Sequence, residues 1–448
     1  MSNPTPPTGT NPPGWWNRRL TRREMLRTSA TGALGLVVGA AVSRALWHPS
    51  PPAPAPVMGA GAALDRVPFY GDNQAGIATP QQAHLVLAAL DVTTERVSDL
   101  RDLLRTWTDQ AARMTQGLQL TDDASLAALP PQDTGEAVGL PASRLTVTFG
   151  FGPSLFELHG TDRFGLASKR PKALTDIPSM PRDALDPMWC GGDLVVQACA
   201  DDAQVAFHAV RNLVRTAAGV AAIRWLQRGF LGMPQVPGTM SGGGQRTAAG
   251  GASDSTSGQT PRNLFGFKDG TANRAVLTEA GLRQHVWVGP NDAPAWMRGG
   301  TYLAIRQIRM HLEVWDRTSL TEQERTFGRH KASGAPFGRQ DEFDPVDPAK
   351  LPPDSHVRLA RGDGSVQILR RGYSYIGGLD PKTGLYDAGL CFLSFQRDPE
   401  RQFIPLLRRL QEGDLLNEYT THFGSALFAI PPGTRPGGFI GDTLLFGL

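Results

Sequence analysis

Four short segments carry the residues whose types and spacing can do chemistry. The first is Asn263-Leu-Phe-Gly-Phe-Lys-Asp-Gly-Thr-Ala-Asn273. Gly266 and Gly270 let backbone approach a flat ligand closely. Asp269, behind two phenylalanines, is either a turn Asp or a partly desolvated acid–base group. The second is Pro353-Asp-Ser-His356-Val-Arg-Leu-Ala360. Among nine histidines, His356 alone follows a Pro-Asp-Ser helix start. It is either a ligand or a structural imidazole, with Arg358 and Arg361 close enough in sequence to meet ligand carboxylates. The third is Ile368-Leu-Arg370-Arg371-Gly-Tyr-Ser-Tyr375. An arginine in an apolar strand is costly unless it is paired or faces a site. Alternation puts these two on opposite faces, so one points inward, unless the strand is an edge and both reach water. The fourth is Asp387, just before the apolar run Ala388–Phe392. It is either a turn residue or the carboxylate that orients a histidine ring through Nδ1.

The elements that must position these residues follow from periodicity. Residues 64–80 read as an irregular loop. Ala83–Val92 is a short apolar strand, and Thr94–Gly117 has helical spacing with Val97, Leu100, Leu103, Leu104 and Trp107 on one face. Arg144–Phe151 alternates as a strand, with Leu145, Val147, Phe149 and Phe151 opposite Thr146, Thr148 and Gly150. Asp193–Ala200 is a strand, Asp202–Ala218 a helix and Ile223–Phe230 a strand. This is the split βαβ order of a ferredoxin-like half. Residues 231–260 are rich in Gly, Ser and Thr and read as a flexible loop. The plan then repeats. Thr301–Trp315 is a long strand, Leu320–Phe327 a helix, Val366–Tyr375 and Gly389–Gln396 strands, Pro399–Leu410 a helix and Ser425–Ile430 a closing strand. The expectation is an α+β fold of two ferredoxin-like halves with antiparallel sheets, residues 64–230 and 261–448.

The 448 residues include 45 Lys+Arg and 42 Asp+Glu, a net of +3. Residues 1–63 hold six arginines, no lysine and one acid, so the rest of the chain carries a net of −2. That excludes an electrostatic nucleic-acid wrapper. The arginines sit in Thr21-Arg22-Arg23-Glu24-Met25-Leu26, followed by an uncharged, weakly apolar stretch of sixteen residues, Thr28–Ser43. A spanning helix needs about 20 predominantly apolar residues. The arrangement resembles a twin-arginine export signal, the other reading being a retained anchor. The mature chain is expected to start between residues 46 and 64, in the periplasm, cell envelope or outside. Three cysteines are too few for a disulfide scaffold; Cys199 and Cys391 fall in strands, and a Cys190–Cys199 pair would use a strand position poorly.

Six segments in order resemble the dye-decolourising (DyP-type) peroxidase family over roughly residues 64–448. They are P-F-Y-G-D-N-Q-A-G-I (68–77), G-G-D-L-V-V-Q-A-C-A-D-D (191–202), N-L-F-G-F-K-D-G-T (263–271), D-S-H-V-R-L-A (354–360), L-R-R-G-Y-S-Y (369–375) and G-L-C-F-L-S-F-Q (389–396). With the leader, they are most similar to its twin-arginine-exported deferrochelatase/peroxidase subgroup. The resemblance implies halves arranged as in the dimeric α+β barrel superfamily, with non-covalent haem b between the sheet and the helices of the C-terminal half, and the chain has no C-x-x-C-H for covalent attachment. It implies His356 as the iron ligand, and Asp269 and Arg370 as the distal catalytic pair. It puts Gly270, Thr271 and Ala272 along the haem, Arg361, Gly362 and Asp363 at its edge, and Asp387 on the His356 ring. The activity implied is reduction of hydrogen peroxide and oxidation of dye-like or phenolic donors by way of a ferryl intermediate. The alternatives are release of iron from haem in iron uptake, or a haem-binding module without catalysis. The partners implied are peroxide, an organic donor, the twin-arginine export machinery, iron-uptake proteins and a second copy of the chain. Tyr373, Tyr375 and Trp315 either carry electrons from bulky donors at the surface or simply pack. The 231–260 stretch is longer than in typical relatives and precedes the Asp269 loop, beside the expected haem entrance.

Overall fold

His84–Val92 (β1) is apolar on both faces, so it forms a strand only where both are covered, and it lies between two other strands. The computed structural model describes residues 65–121, 129–232, 260–381 and 383–446. Residues 1–63, expected as a twin-arginine leader, and most of the Gly/Ser-rich stretch lie outside these residues. After β1 come α1 (Val97–Met114), β2 (Thr146–Phe151), β3 (Leu194–Ala200), α2 (Ala203–Thr216) and β4 (Ala221–Phe230). The strands pair antiparallel in the order β2-β3-β1-β4. Helix α1 buries Leu100, Leu103, Leu104 and Trp107 against the sheet. Trp107 stacks on Phe149 of β2 with centroids 5.5 Å apart, and its Nε1 donates to Leu213 O of α2 at 2.8 Å. Helix α2 starts where it does because the Asp202 carboxylate accepts from the backbone N–H groups of Gln204 and Val205.

The second half comprises β5 (Thr301–Met310), α3 (Leu320–Phe327), α4 (His356–Arg361), β6 (Leu369–Arg370), β7 (Tyr373–Leu379), β8 (Tyr386–Gln396), α5 (Phe403–Gly413) and β9 (Thr420–Ile430). Its main strands run β7-β8-β5-β9, with β6 as a short addition on β8. Setting β6 aside, both halves have the same spatial order, fourth-first-third-second, which is the ferredoxin-like arrangement. The halves join at two seams of one residue pair each, Phe151 with Ala429 and Phe230 with Ser374. At the first seam Gln74 adds a clamp, its Nε2 donating to Phe149 O at 2.9 Å and to Pro431 O at 3.0 Å. Eight of the nine strands thus close a ring.

Closure explains why β2 is buried on both faces. Alternation on its own would leave Thr146 and Thr148 on an outer face. Instead, Val147, Phe149 and Phe151 face the helices while the threonines are turned into the ring. Several bounds differ from the sequence expectation, among them β8, which starts at Tyr386, and α5, which runs Phe403–Gly413. Strand β5 ends at Met310, and Leu312–Trp315 is a helical turn. The strand expected over 366–375 is interrupted at Arg371 and Gly372, where the buried Arg371 guanidinium turns to Thr79 O at 2.5 Å and to Gln82 Oε1. Strand β9 starts at Thr420, ahead of Ser425. Tyr373, Tyr375 and Trp315 are all buried. None reaches the surface as a port for electrons, and the Trp315 Nε1 donates to Phe265 O at 3.1 Å. The three cysteines are free, and burial pushes the Cys391 thiol up to about 12.

Candidate functional site

Helix α4 begins at His356 with Ser355 in the cap position. The Ser355 hydroxyl does not cap the helix; it donates back to Pro352 O at 2.8 Å. The His356 Nδ1 lies 2.6 Å from Oδ2 of Asp414. Asp414 is 3% exposed at its side chain, and its other oxygen accepts from Leu416 N at 2.9 Å, capping the short 3-10 turn Leu415–Glu418. Both carboxylate oxygens are therefore engaged, and an anionic acceptor on Nδ1 leaves the Nε2 lone pair outward. Nε2 has no hydrogen-bond partner among the described residues. No residue of α4 is fully buried, although Val357, Leu359 and Ala360 are apolar.

Asp387 does not take this role. It pairs instead with Arg309, Nη2 to Oδ1 at 3.1 Å, beside Asp380 on the same guanidinium. Residue 387 is in β8, opposite Gly378 of β7, on a different element from the α5–β9 connection that faces α4. Asp414 was legible only as a cap residue, in Gly413-Asp-Leu-Leu416.

Asp269 and Arg370 do meet, Oδ1 to Nη1 at 2.8 Å, both partly exposed. The Asp269 loop is a tight hairpin. Asn263 N donates to Phe267 O at 2.9 Å and Asp269 N to Pro261 O at 2.8 Å. Gly270 has φ +115, a conformation L side chains rarely adopt. Of the arginine pair, Arg371 is the buried structural one and Arg370 faces the site. The Asn273 side chain brackets Arg370: Nδ2 donates to Arg370 O at 2.6 Å, and Oδ1 accepts from Arg370 N at 3.0 Å. These residues line an open cleft of about 350 Å³ with Gln81, Leu231, Gly270 and Leu390.

A buried carboxylate, Glu342, holds this loop from behind. It accepts from Lys268 Nζ at 2.6 Å, from Thr271 Oγ1 at 2.8 Å and from Thr260 Oγ1. Burial works to raise its pKa, but these hydrogen bonds outweigh burial and hold it below the usual carboxylate value. The Thr271 hydroxyl is thus committed to Glu342, while Ala272 is exposed. The two sides of the site share an aromatic wall. Phe267, two residues before Asp269, stacks on Phe327 with centroids 3.9 Å apart, and Phe327 meets the His356 ring edge-on at 6.0 Å.

Arg361 is exposed at the end of α4. Gly362 packs on the Arg409 guanidinium, and Asp363 accepts from the backbone and hydroxyl of Ser365 at 2.9 and 2.6 Å. The Asp363 oxygen Oδ1 is therefore engaged within its own turn. Asp414, Asn273 and Glu342 are the residues that sequence reasoning missed. Asp414 and Glu342 have no spacing that ties them to His356 or Asp269, and Asn273, four residues after Asp269, carries no local signal of its partner at Arg370.

Residues 74–231 match the family model for the Dyp-type peroxidase N-terminal region, and residues 260–435 that for its C-terminal region. The chain is 37% identical over 438 residues to the deferrochelatase of Escherichia coli strain K12, covering 95% of this chain and 97% of the relative. Among solved structures it is similar to the DyP-type peroxidase from Cellulomonas bogoriensis, with TM-score 0.73 and 37% identity over 85% of this chain and 98% of that one. It is also similar to ferric DtpA from Streptomyces lividans, with TM-score 0.74 and 36% identity over 86% and 99%. With both halves matched, the chain belongs to the Dyp-type peroxidase family.

Proposed function

We propose that, as a haem-dependent peroxidase, this chain uses His356 to ligate the iron of haem b and Asp269 with Arg370 to work on hydrogen peroxide. The residues present fit that cofactor. A histidine that would hold the iron needs a free lone pair on a ring fixed by its other nitrogen, which is what His356 and Asp414 provide. The half-covered apolar residues of α4 suit a flat apolar partner, and the Gly270 backbone permits close approach from the Asp269 loop. Gly270, Thr271 and Ala272 border the haem on that side, Thr271 through its backbone. Arg361, with Gly362 and Asp363 after it, lies toward the haem edge and is the exposed cation on the ligand's helix.

Bound haem supplies the electrons that cleave the peroxide O–O bond and regains them from an organic donor. Asp269 keeps Oδ1 on Arg370, and its Oδ2 has no partner among the described residues. Oδ2 takes a proton from one peroxide oxygen and returns it to the other, which leaves as water. Arg370, anchored at its backbone by Asn273, directs its guanidinium at the charge that develops on the departing oxygen. The observation that carries this reading is the Asp269–Arg370 pair at the cleft. Its test is a visible spectrum after haem loading, followed by a stopped-flow peroxide titration. Asp269→Ala and Arg370→Leu are expected to slow the reaction by roughly 100-fold or more. Wild-type rates in both variants would overturn the assignment.

A second reading, removal of iron from haem with the tetrapyrrole intact, is favoured by the deferrochelatase named at 37% identity over nearly the whole chain. Mass spectrometry for free protoporphyrin after haem incubation tests it, and no protoporphyrin would exclude it. Export through the twin-arginine route rests on Arg22-Arg23 and suits a chain that folds around its cofactor before it leaves the cytoplasm. No helix among the described residues is long and apolar enough to cross a membrane.

A further inference from the structure

The two groups proposed to act on peroxide come from segments about a hundred residues apart, and a salt bridge between two partly exposed side chains is weak at fixing geometry. Something more rigid must set their register. Strand β6 is two residues long and pairs with β8 on one edge only. Its other edge presents the Arg370 N–H and C=O with no strand among the described residues to meet them. Both are met by one side chain, the carboxamide of Asn273, at 3.0 and 2.6 Å. A carboxamide offers one donor and one acceptor side by side, as a peptide group does, so it can stand in for a rung of a neighbouring strand. An aspartate there offers acceptors alone, and an alanine offers neither.

Asn273 is also tied to the acid. Its backbone N–H donates to Gly270 O at 2.9 Å, one residue beyond Asp269, and it opens the helical turn Asn273–Val276. One residue therefore grips the loop that carries Asp269 with its backbone and the strand that carries Arg370 with its side chain. We infer that Asn273 is the positioning residue that sets the Asp269–Arg370 pair, by completing β6 as a side-chain rung. It need not touch peroxide. Its effect passes through the location of the two groups that do, and it rests on the functional reading above.

The test is a double-mutant cycle on the haem-loaded protein. Asn273→Ala is expected to slow the reaction with peroxide by roughly 10- to 100-fold, the cost of a misplacement of about 1 Å. Its fluoride affinity, read optically, should weaken as well, because bound fluoride needs the same guanidinium donors. In an Arg370→Leu background, Asn273→Ala should add nothing to the fluoride readout and should cost less in peroxide rate than it does in the wild type, because only its effect through Asp269 remains. Asn273→Asp covers the case in which the alanine variant fails to fold. It keeps the acceptor for Arg370 N–H, faces the Arg370 carbonyl with a second acceptor, and should lose rate in the same direction. If Asn273→Ala reacts within twofold of wild type, or if its loss multiplies with that of Arg370→Leu, the positioning role is wrong. If Arg370→Leu itself leaves the peroxide reaction unchanged, it is the peroxidase assignment that fails.

Discussion

At the scale of single residues, the chemistry turns on which carboxylate holds which base. Types and glycine spacing mark His356, Asp269 and the pair Arg370-Arg371 as candidates, and it is the resemblance to the peroxidase family that assigns their roles and chooses Arg370. The partner of His356 was not legible. Asp387 and Asp414 both sit at the edge of an apolar run, and only the path of the chain puts Asp414 under the ring while Arg309 claims Asp387. The difference is measurable. Asp414→Ala should weaken haem retention by roughly 10- to 100-fold, as loss of a ligand's supporting carboxylate does, and shift the Soret band. Asp387→Asn should leave the haem spectrum unchanged and disturb only the Arg309 pair. Equal haem retention in the two variants would return the question to Asp387.

At the scale of elements, the helices and strands were largely legible because burial imposes period, and two of the misreadings share one cause. Strand β5 was expected to run on to Trp315, and residues 366–375 were expected to be one strand. In both places side chains with long-range partners override local pattern: Trp315 reaches Phe265 O, and Arg371 reaches Thr79 and Gln82. Glu342 is the same lesson for a loop. Its three donors come from residues at least 70 positions away in sequence. Removing it strands the Lys268 ammonium, which is 15% exposed. Glu342→Ala should therefore lower Tm and slow the peroxide reaction together. Because its folded pKa lies below the usual 4.5, the stabilisation is whole above that pH and is lost as pH falls below it. Glu342→Gln should flatten that acid limb in thermal melts. An acid limb identical to wild type would mean that the clamp carries no such linkage.

At the scale of the whole molecule, two sheets of the same order make one ring; the repeat was legible in the strand pattern, whereas the barrel came from the family resemblance and not from the strands themselves. Nothing in a strand's sequence announces that its edge will meet a partner from the other half. The seam between β4 and β7 is also close-packed, since a Cβ on Gly229 would stand 2.6 Å from the Tyr373 Cβ. Gly229→Ala should thus destabilise by about 1–3 kcal/mol, read as a lower Tm with unchanged far-UV dichroism, whereas unchanged Tm would show that the seam can yield. The single residue pair at each seam has another consequence. In its backbone ladders the barrel is two nearly independent sheets, and the chain passes from one set of strands to the other once, between β4 and β5. That passage acts as a tether: it sets the effective concentration at which one sheet meets the other. Its length bears on how readily the ring closes, and the same passage carries the Asp269 loop, so the closing of the ring and the placing of that loop share one stretch of chain.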